Sequence, residues 1–181
     1  MPLIWITGIS GSGKSAVRRE LRNRGYESFG TDEDGFAHWV DAESGAIAPR
    51  ASASDRSVAF LARHDWRVDV ESVRRLAEEA DGRLVFLCGA VQNEVEAWEF
   101  FDSVILLSVD EGTIRQRIES RTDNDFGKSD HELGLILGWN QNIERGYEGY
   151  GAFIVDARKA LPDVVEDVVR MAEGTGKQRE A

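Results

Sequence analysis

Leu3-Ile4-Trp5-Ile6-Thr7-Gly8-Ile9-Ser10-Gly11-Ser12-Gly13-Lys14-Ser15-Ala16 is the stretch that decides the fold. The continuous apolar run Leu3 to Thr7 predicts a strand covered on both faces. Gly8 to Ser15 then matches G-x-x-x-x-G-K-[ST] in full. Ser15 to Arg24 follows as a helix, with Val17 and Leu21 one turn apart and Gly25 as its stop. A glycine-rich loop between a strand and a helix is the setting in which this pattern grips phosphate. Gly8, Gly11 and Gly13 allow backbone conformations and close approaches that a Cβ would block. The loop N–H groups and the helix N-terminus present partial positive charge to phosphate oxygens. The expected nucleotide contacts are Gly8, Ser10, Gly11, Ser12, Gly13, Lys14, Ser15 and Ala16. Among them, Lys14 is expected to reach the β- and γ-phosphates and the Ser15 hydroxyl to ligate Mg²⁺. The alternative, a Gly/Ser-rich turn with no ligand, leaves the Lys-Ser ending unexplained.

Outward from that segment, short apolar runs alternate with helical patterns. Leu84 to Cys88, Val104 to Leu107 and Ala152 to Val155 predict further buried strands, and Tyr26 to Thr31 a weaker one. Asp69 precedes a helix whose Val70, Val73, Leu76, Ala77 and Ala80 share a face. Ser129 and Glu132 have capping-box spacing ahead of Leu133, Ile136 and Leu137. Pro162 stands near the start of a last helix carrying Val164, Val165, Val168 and Val169. This alternation predicts a three-layer α/β domain over residues 1–173, with a polar, frayed tail at 174–181.

The 181 residues are 41% apolar and 30% charged, which argues against general disorder. A formal net charge of -11 is the wrong sign for coating a nucleic acid, so no nucleic-acid partner is expected. The single cysteine, Cys88, rules out an internal disulfide framework and reads as a small buried hydrophobe. No apolar run approaches the roughly 20 residues that span a bilayer, and the first residues lack a basic signal-peptide region. These features predict a cytoplasmic protein without a membrane partner, a monomer or homodimer.

Two further clusters carry chemistry. Asp32 and Asp34 follow the second strand, at the sheet edge where such folds bind ligands. One carboxylate there can organise Mg²⁺ through water, and the other can orient or deprotonate an acceptor hydroxyl. The plain alternative is an acidic helix start favoured by the macrodipole. Arg115, Arg117 and Arg121 lie on a helix beginning near Asp110, ahead of the polar loop Thr122 to Lys128. Arg117 and Arg121, four apart, suit a clamp on a transferring phosphoryl group. A solvated helix face paired with Glu119 or Asp123 is the alternative. A GTPase would carry N-K-x-D, and none occurs. The ABC-type signature is absent, and the chain is too short for a motor. A small kinase remains.

Together these residues resemble the small P-loop kinases of the nucleoside monophosphate, shikimate and gluconate kinase group. Arg117-Ile118-Glu119-Ser120-Arg121 resembles the R-x-x-x-R that opens an adenylate kinase lid, where the first arginine stacks on adenine and the second contacts phosphates. Val155-Asp156-Ala157-Arg158, followed by Leu161-Pro162, is similar to the adenine-proximal strand end, which places Ala157 and Arg158 by the nucleotide. Asp32-x-Asp34 is similar to the D-x-D of shikimate kinases, and Gly89 holds the place of a substrate-proximal glycine. The resemblance implies a five-stranded parallel sheet ordered 2-3-1-4-5, helices on both faces, a small mobile lid at about 117–130, and ATP as donor.

The departures concern the acceptor. Cys88-Gly89-Ala90-Val91 replaces the Gly-Gly-Gly of shikimate kinases, and Gln92-Asn93-Glu94 stands where adenylate kinases carry Pro-Arg. No acidic residue ends the Leu84 to Cys88 strand, which shifts the Mg²⁺-organising role toward Asp32. The segment 32–69, with Trp39, Arg50, Arg56, Arg63, His64, Trp66 and Arg67, is the expected acceptor region. An aromatic with an arginine can hold a base and its phosphate. Packing is the simpler fate for Trp66, and a surface position for any single arginine. Trp5 and Trp98 read as core, and His38, His64 and His131 as packed or exposed.

The expectation is an ATP- and Mg²⁺-dependent phosphotransferase acting on a small molecule. Its catalytic residues are Lys14, Asp32, Arg117 and Arg121, and its metal site is Ser15 with Asp32. Its acceptor is held by Asp32, Asp34, Trp39, Arg56, Arg63, Gly89, Asn93 and Lys128. A shikimate- or gluconate-like hydroxyl and a nucleoside or nucleotide both stay open as acceptors. An ATP-binding sensor or NTPase acting through a protein partner is the rival.

Overall fold

A computed structural model of the chain describes residues 3–49, 56–122 and 124–179; Arg50 and Asp123 fall outside the described residues. Five parallel strands form the main sheet: β1 (Leu3–Thr7), β2 (Glu27–Gly30), β5 (Val85–Cys88), β6 (Ser103–Ser108) and β7 (Phe153–Asp156). Their spatial order is β2-β5-β1-β6-β7. Counted within this sheet alone, that is 2-3-1-4-5; the chain-wide numbers differ because β3 and β4 belong elsewhere.

The strands are apolar throughout because both faces are covered. Ile4, Ile6, Phe86, Cys88, Ile105 and Leu107 pack against Val17 and Leu21 of α1 (Lys14–Asn23). The same layer takes Ile114 and Ile118 of α4 (Glu111–Ser120), Ile136 of α5 (Asp130–Asn140) and the valines of α7 (Leu161–Arg179). Leu3, Trp5, Val85, Leu87 and Val104 face the other way, onto Val73 and Leu76 of α3 (Val70–Glu79) and onto the 3-10 helix Glu94–Phe100. Burying each of the large aliphatic side chains contributes about 1.5–3 kcal/mol, so these two layers dominate the stability. Trp5 is core, as expected; Trp98 is only half-buried, packed against Tyr147 and Tyr150.

The caps follow from the sequence. Asp69 accepts from Glu71 N, Asp110 from Thr113 N at 2.8 Å, and Gly25 leaves α1 at φ 88°. The capping box is only half made. Ser129 Oγ accepts from Glu132 N, but the Glu132 carboxylate turns to Gly127 N at 2.9 Å and Arg56 Nε at 3.0 Å instead of reaching back.

Within 32–69 the chain builds an antiparallel hairpin that the sequence reading left unassigned, β3 (Ala37–Asp41) and β4 (His64–Val68), bridged by α2 (Val58–Arg63). Trp39 pairs with Trp66 and His38 with Arg67, so the tryptophans share one face and the polar pair the other. Two amide side chains of the loop after β5 seat the hairpin. Gln92 exchanges hydrogen bonds with Trp66, and Asn93 binds both backbone groups of Val68, at 2.8 and 3.1 Å. The remaining helix, α6 (Ile143–Gly149), lies ahead of β7.

Candidate active site

The phosphate loop leaves β1 at the C-terminal edge of the sheet. Gly8, Gly11 and Gly13 all have positive φ, and a Cβ on Gly8 would stand 2.7 Å from both Leu107 O and Ser12 Oγ. The loop therefore requires glycine for shape and for space. Lys14 opens α1 and folds back over the loop, its Nζ donating to Gly8 O at 2.6 Å and Ile9 O at 3.0 Å. An ammonium has three donors, so one remains for a phosphate oxygen. Burial pulls Lys14 down to about 8; among charges, Asp32 opposes this most and Arg121 adds to it. Lys14, Asp32 and Arg121 thus share one field.

Arg117 and Arg121, at the end of α4, converge on the loop. Arg117 Nη1 donates to Ser12 O at 2.9 Å and Gly11 O at 3.3 Å, and its Nη2 donates to Ala157 O at 2.7 Å. It staples the loop to the end of β7, where Ala157 was expected. Arg121, at the extended C-cap of α4, donates to Ser10 Oγ at 3.0 Å and to Phe126 O. Arg115 instead pairs with Glu111, and Lys128 caps α4 by donating to Glu119 O at 2.7 Å. Arg158 is exposed and lies along Asp156, whose carboxyl this arginine and the Arg158 N–H hold down to about 2.

The two aspartates part company. Asp32 is exposed at the sheet edge, with Oδ1 accepting from Thr31 Oγ1 at 2.9 Å and Trp66 Nε1 at 3.2 Å. Asp34 Oδ2 accepts from Gly30 N at 2.7 Å, Arg18 Nη1 at 2.9 Å and Arg22 Nη2 at 3.0 Å, which ties β2 to α1. Burial pushes its carboxyl up, but the Gly30 N–H and the two arginines outweigh that and leave it lowered.

Other expected acceptor residues also have internal partners. Arg63 pairs with Asp41, and Arg56, with its side chain only 8% exposed, pairs with Glu132 of α5 and with Asp125 in the loop before it. Arg67 pairs with Glu96. Asn93 holds β4, as described, and Gly89 gives Thr31 its room: a Cβ on Gly89 would lie 2.3 Å from Thr31 Oγ1. Trp39, Trp66 and Phe60 form an aromatic cluster, with Trp39 5.2 Å from Trp66 and 5.3 Å from Phe60. A cavity of about 630 Å³ opens on the opposite, His38–Arg67 side of the hairpin and includes no phosphate-loop residue.

Sequence reasoning missed Arg18, 8% exposed in α1, which holds Glu33 and Asp34, and it missed Gln92. An arginine four residues past the loop lysine offered no signal. Asp65 to Val68 alternates polar and apolar, but adjacent Trp39 and Val40 break the pattern in Ala37 to Asp41, so the spacing offered no paired signal for the hairpin.

The donor set fits magnesium better than a softer ion. No group of three or more His, Cys, Asp and Glu able to hold a metal occurs among the described residues. A cation would rest on the exposed Ser15 hydroxyl, Asp32, water and phosphate oxygens, the all-oxygen set Mg²⁺ prefers.

Fold and loop together define a P-loop protein with the architecture of the small kinases. The sequence family described as an AAA domain (AAA_18) matches residues 4–138, and the chain belongs to it. A curated relative, adenylyl-sulfate kinase 3 of Arabidopsis thaliana, is 37% identical over 82 residues, which cover 43% of this chain and 31% of the relative. This chain therefore matches about a third of that protein's length. Among solved structures, shikimate kinase from Acinetobacter baumannii in complex with shikimate aligns with a TM-score of 0.61 at 15% identity, over 96% of this chain and 94% of that one. A sugar kinase from Janibacter sp. HTCC2649 aligns at 0.56 and 17%, over 93% and 92%. Deoxyadenosine kinase from M.mycoides with bound dATP aligns at 0.52 and 16%, over 94% and 99%. The chain thus shares the fold of these kinases.

No helix among the described residues is long and apolar enough to cross a membrane.

Proposed function

We propose that this protein is an ATP-dependent phosphotransferase that phosphorylates a hydroxyl group on an uncharged small molecule. The observation that carries this reading is the phosphate loop with two cations on it, Lys14 Nζ on Gly8 O and Ile9 O and Arg121 on Ser10 Oγ, with the exposed Asp32 at the same sheet edge. Mg-ATP supplies the γ-phosphoryl group and the leaving ADP. Lys14 and Arg121 stabilise charge spread over the transferring group, and Arg117 keeps the loop in register with the β7 end. Ser15 and Asp32 are the metal-organising pair. Asp32 orients the acceptor hydroxyl and takes its proton as the new O–P bond forms and the bond to ADP breaks.

The uncharged acceptor follows from electrostatics. Arg56, Arg63 and Arg67 are each neutralised by carboxylates, as are Arg18 and Arg22. An acceptor phosphate would have to break such a pair. A sugar ring, cyclic polyol or nucleoside meets Trp39 and Trp66 without doing so, in keeping with a site lined by aromatics and few polar groups. The sugar and deoxyadenosine kinases among the structural neighbours support this class.

The test is ADP production from Mg-ATP against sugars, shikimate-like cyclic acids, nucleosides and nucleoside monophosphates, with Lys14→Ala as the blank. Stimulation by a neutral hydroxyl compound, absent from the blank, is the expected result. Stimulation by monophosphates alone would overturn the neutral acceptor, and ATP binding without any stimulated turnover would favour the sensor reading.

A further inference from the structure

We infer that Trp66 is a positioning residue: its indole N–H, with the Thr31 hydroxyl, holds the Asp32 carboxylate in the orientation phosphoryl transfer needs. The inference rests on the proposed role of Asp32. A free aspartate at a loop end has a broad second torsion, and an exposed carboxylate there samples many orientations. Here two donors from different elements meet on one oxygen: Thr31 Oγ1 at 2.9 Å and Trp66 Nε1 at 3.2 Å, both on Oδ1. Two donors on one oxygen fix the plane of the group and leave Oδ2 for the acceptor hydroxyl.

Each donor is itself held. Thr31 is fully buried at the end of β2, its N–H donating to Cys88 O at 2.9 Å. It occupies the space a side chain on Gly89 would fill. Trp66 is pinned in β4 by Gln92, which accepts from its N–H at 2.5 Å and donates to its carbonyl at 2.9 Å. Its ring leans on Trp39 at 5.2 Å. The carboxylate is thereby gripped between the main sheet and the hairpin, and the hairpin becomes part of the catalytic geometry as well as the wall of the acceptor site. An indole N–H only donates, so Trp66 acts through Asp32 and takes no proton itself. Misplacing a reacting group by about an ångström costs on the order of a hundredfold in rate, so this grip bears on turnover.

The test has two arms. In ¹⁵N-labelled protein, which carries five tryptophans, Trp66→Phe assigns the Trp66 indole resonance. Asp32→Ala then shifts that resonance upfield while the other indoles stay in place. In kinetics, Trp66→Phe lowers kcat about tenfold with KM for ATP within about twofold, because the two sites differ. Thr31→Val does the same, Thr31→Ser recovers most of the loss, and the Thr31→Val/Trp66→Phe pair loses less than the product of the two. An indole resonance unmoved by Asp32→Ala, or full kcat in Trp66→Phe, overturns the inference. If Trp66→Phe unfolds, Thr31→Val with its serine rescue decides. Failure of the kinase reading is separate: Lys14→Ala would then leave ADP production unchanged while the indole shift still appears.

Discussion

Lys14 has to do two opposed things, stay charged for phosphate and sit half-buried on carbonyl oxygens. Burial brings its ammonium to about 8, so the free protein begins to lose that charge just above neutrality. Binding of a triphosphate selects the protonated form. Affinity for ATP should therefore be flat below about pH 8 and fall about tenfold between pH 8 and 9 or 10. Calorimetric titration at stepped pH checks this, and Lys14→Ala, already weak, should show no such fall. Asp34 makes the opposite kind of statement. Its folded carboxyl lies below the ordinary range, so the stability it adds is present at neutral pH and is lost as pH falls through that lowered value. Asp34→Ala strands Gly30 N and leaves Arg18 to Glu33, and should cost about 2 kcal/mol in a denaturant melt. Turnover per folded molecule should hold steady; a collapse of kcat with an unchanged melt would return Asp34 to the acceptor site.

Among the elements, the loop between α4 and α5 is closed by a buried clasp. Arg56, which precedes α2, reaches across to Glu132, and the two side chains are 8% and 5% exposed. The Arg56 guanidinium also lies over the Phe126 ring at 5.5 Å. Glu132 passes the contact on to Gly127 N. Gly127 itself sits at φ 96°, where a Cβ would press on Ile136 Cδ1 at 2.7 Å. The segment ahead of α2 and the α4–α5 loop are thus wired together. Removing one partner of a buried pair leaves an uncompensated charge, about 3 kcal/mol. Arg56→Met should lower the melting temperature, by several degrees, and speed proteolysis in the α4–α5 loop; equal cleavage rates in mutant and wild type would show that the clasp does not hold that loop. Glu132→Gln, which keeps the Gly127 contact, should be milder.

Across the whole molecule, one polar cluster joins three elements beneath the site. Glu94 accepts from Trp5 Nε1 at 3.2 Å and from the Tyr147 hydroxyl, which also meets Thr7 Oγ1 at 3.3 Å. Burial raises the Glu94 carboxyl, only partly offset by Tyr147 and Trp5. A raised acid binds its proton more tightly folded than unfolded, so stability falls as pH rises from the ordinary glutamate range through the raised value. Glu94→Gln removes that slope while keeping an oxygen for the indole. Its melting temperature should match or exceed wild type at pH 7 and lose the advantage at acid pH. A variant less stable than wild type at pH 7 but equal to it at acid pH would mean that the charge itself is needed. The cluster connects Thr7, the last residue before the loop, to α6 and the 3-10 helix, so the same variant is a fair probe of whether the loop feels that layer.

The sequence suggested the order of the sheet only through its resemblance to the small P-loop kinases, but it marked the strands and the phosphate loop directly. Those depend on local signals: continuous apolar runs, glycines where φ is positive, and a Lys-Ser pair at a helix start. It also named Arg117 and Arg121, because helical spacing puts them near one another. Only tertiary packing decided the partners of several expected acceptor residues. Asp34, Asn93, Arg56, Arg63 and Lys128 look alike in sequence whether they meet a ligand or a neighbour. Their longer-range partners, from Arg18 to Glu132, lie 9 to 76 residues away, separations no local pattern encodes. The hairpin escaped notice for a related reason. Its strands pair across a 22-residue gap, and only closure of that loop puts Trp66 within reach of Asp32. Local propensity fixes which segments become strands and helices. Which carboxylate an arginine or an indole finds is fixed only when those segments pack.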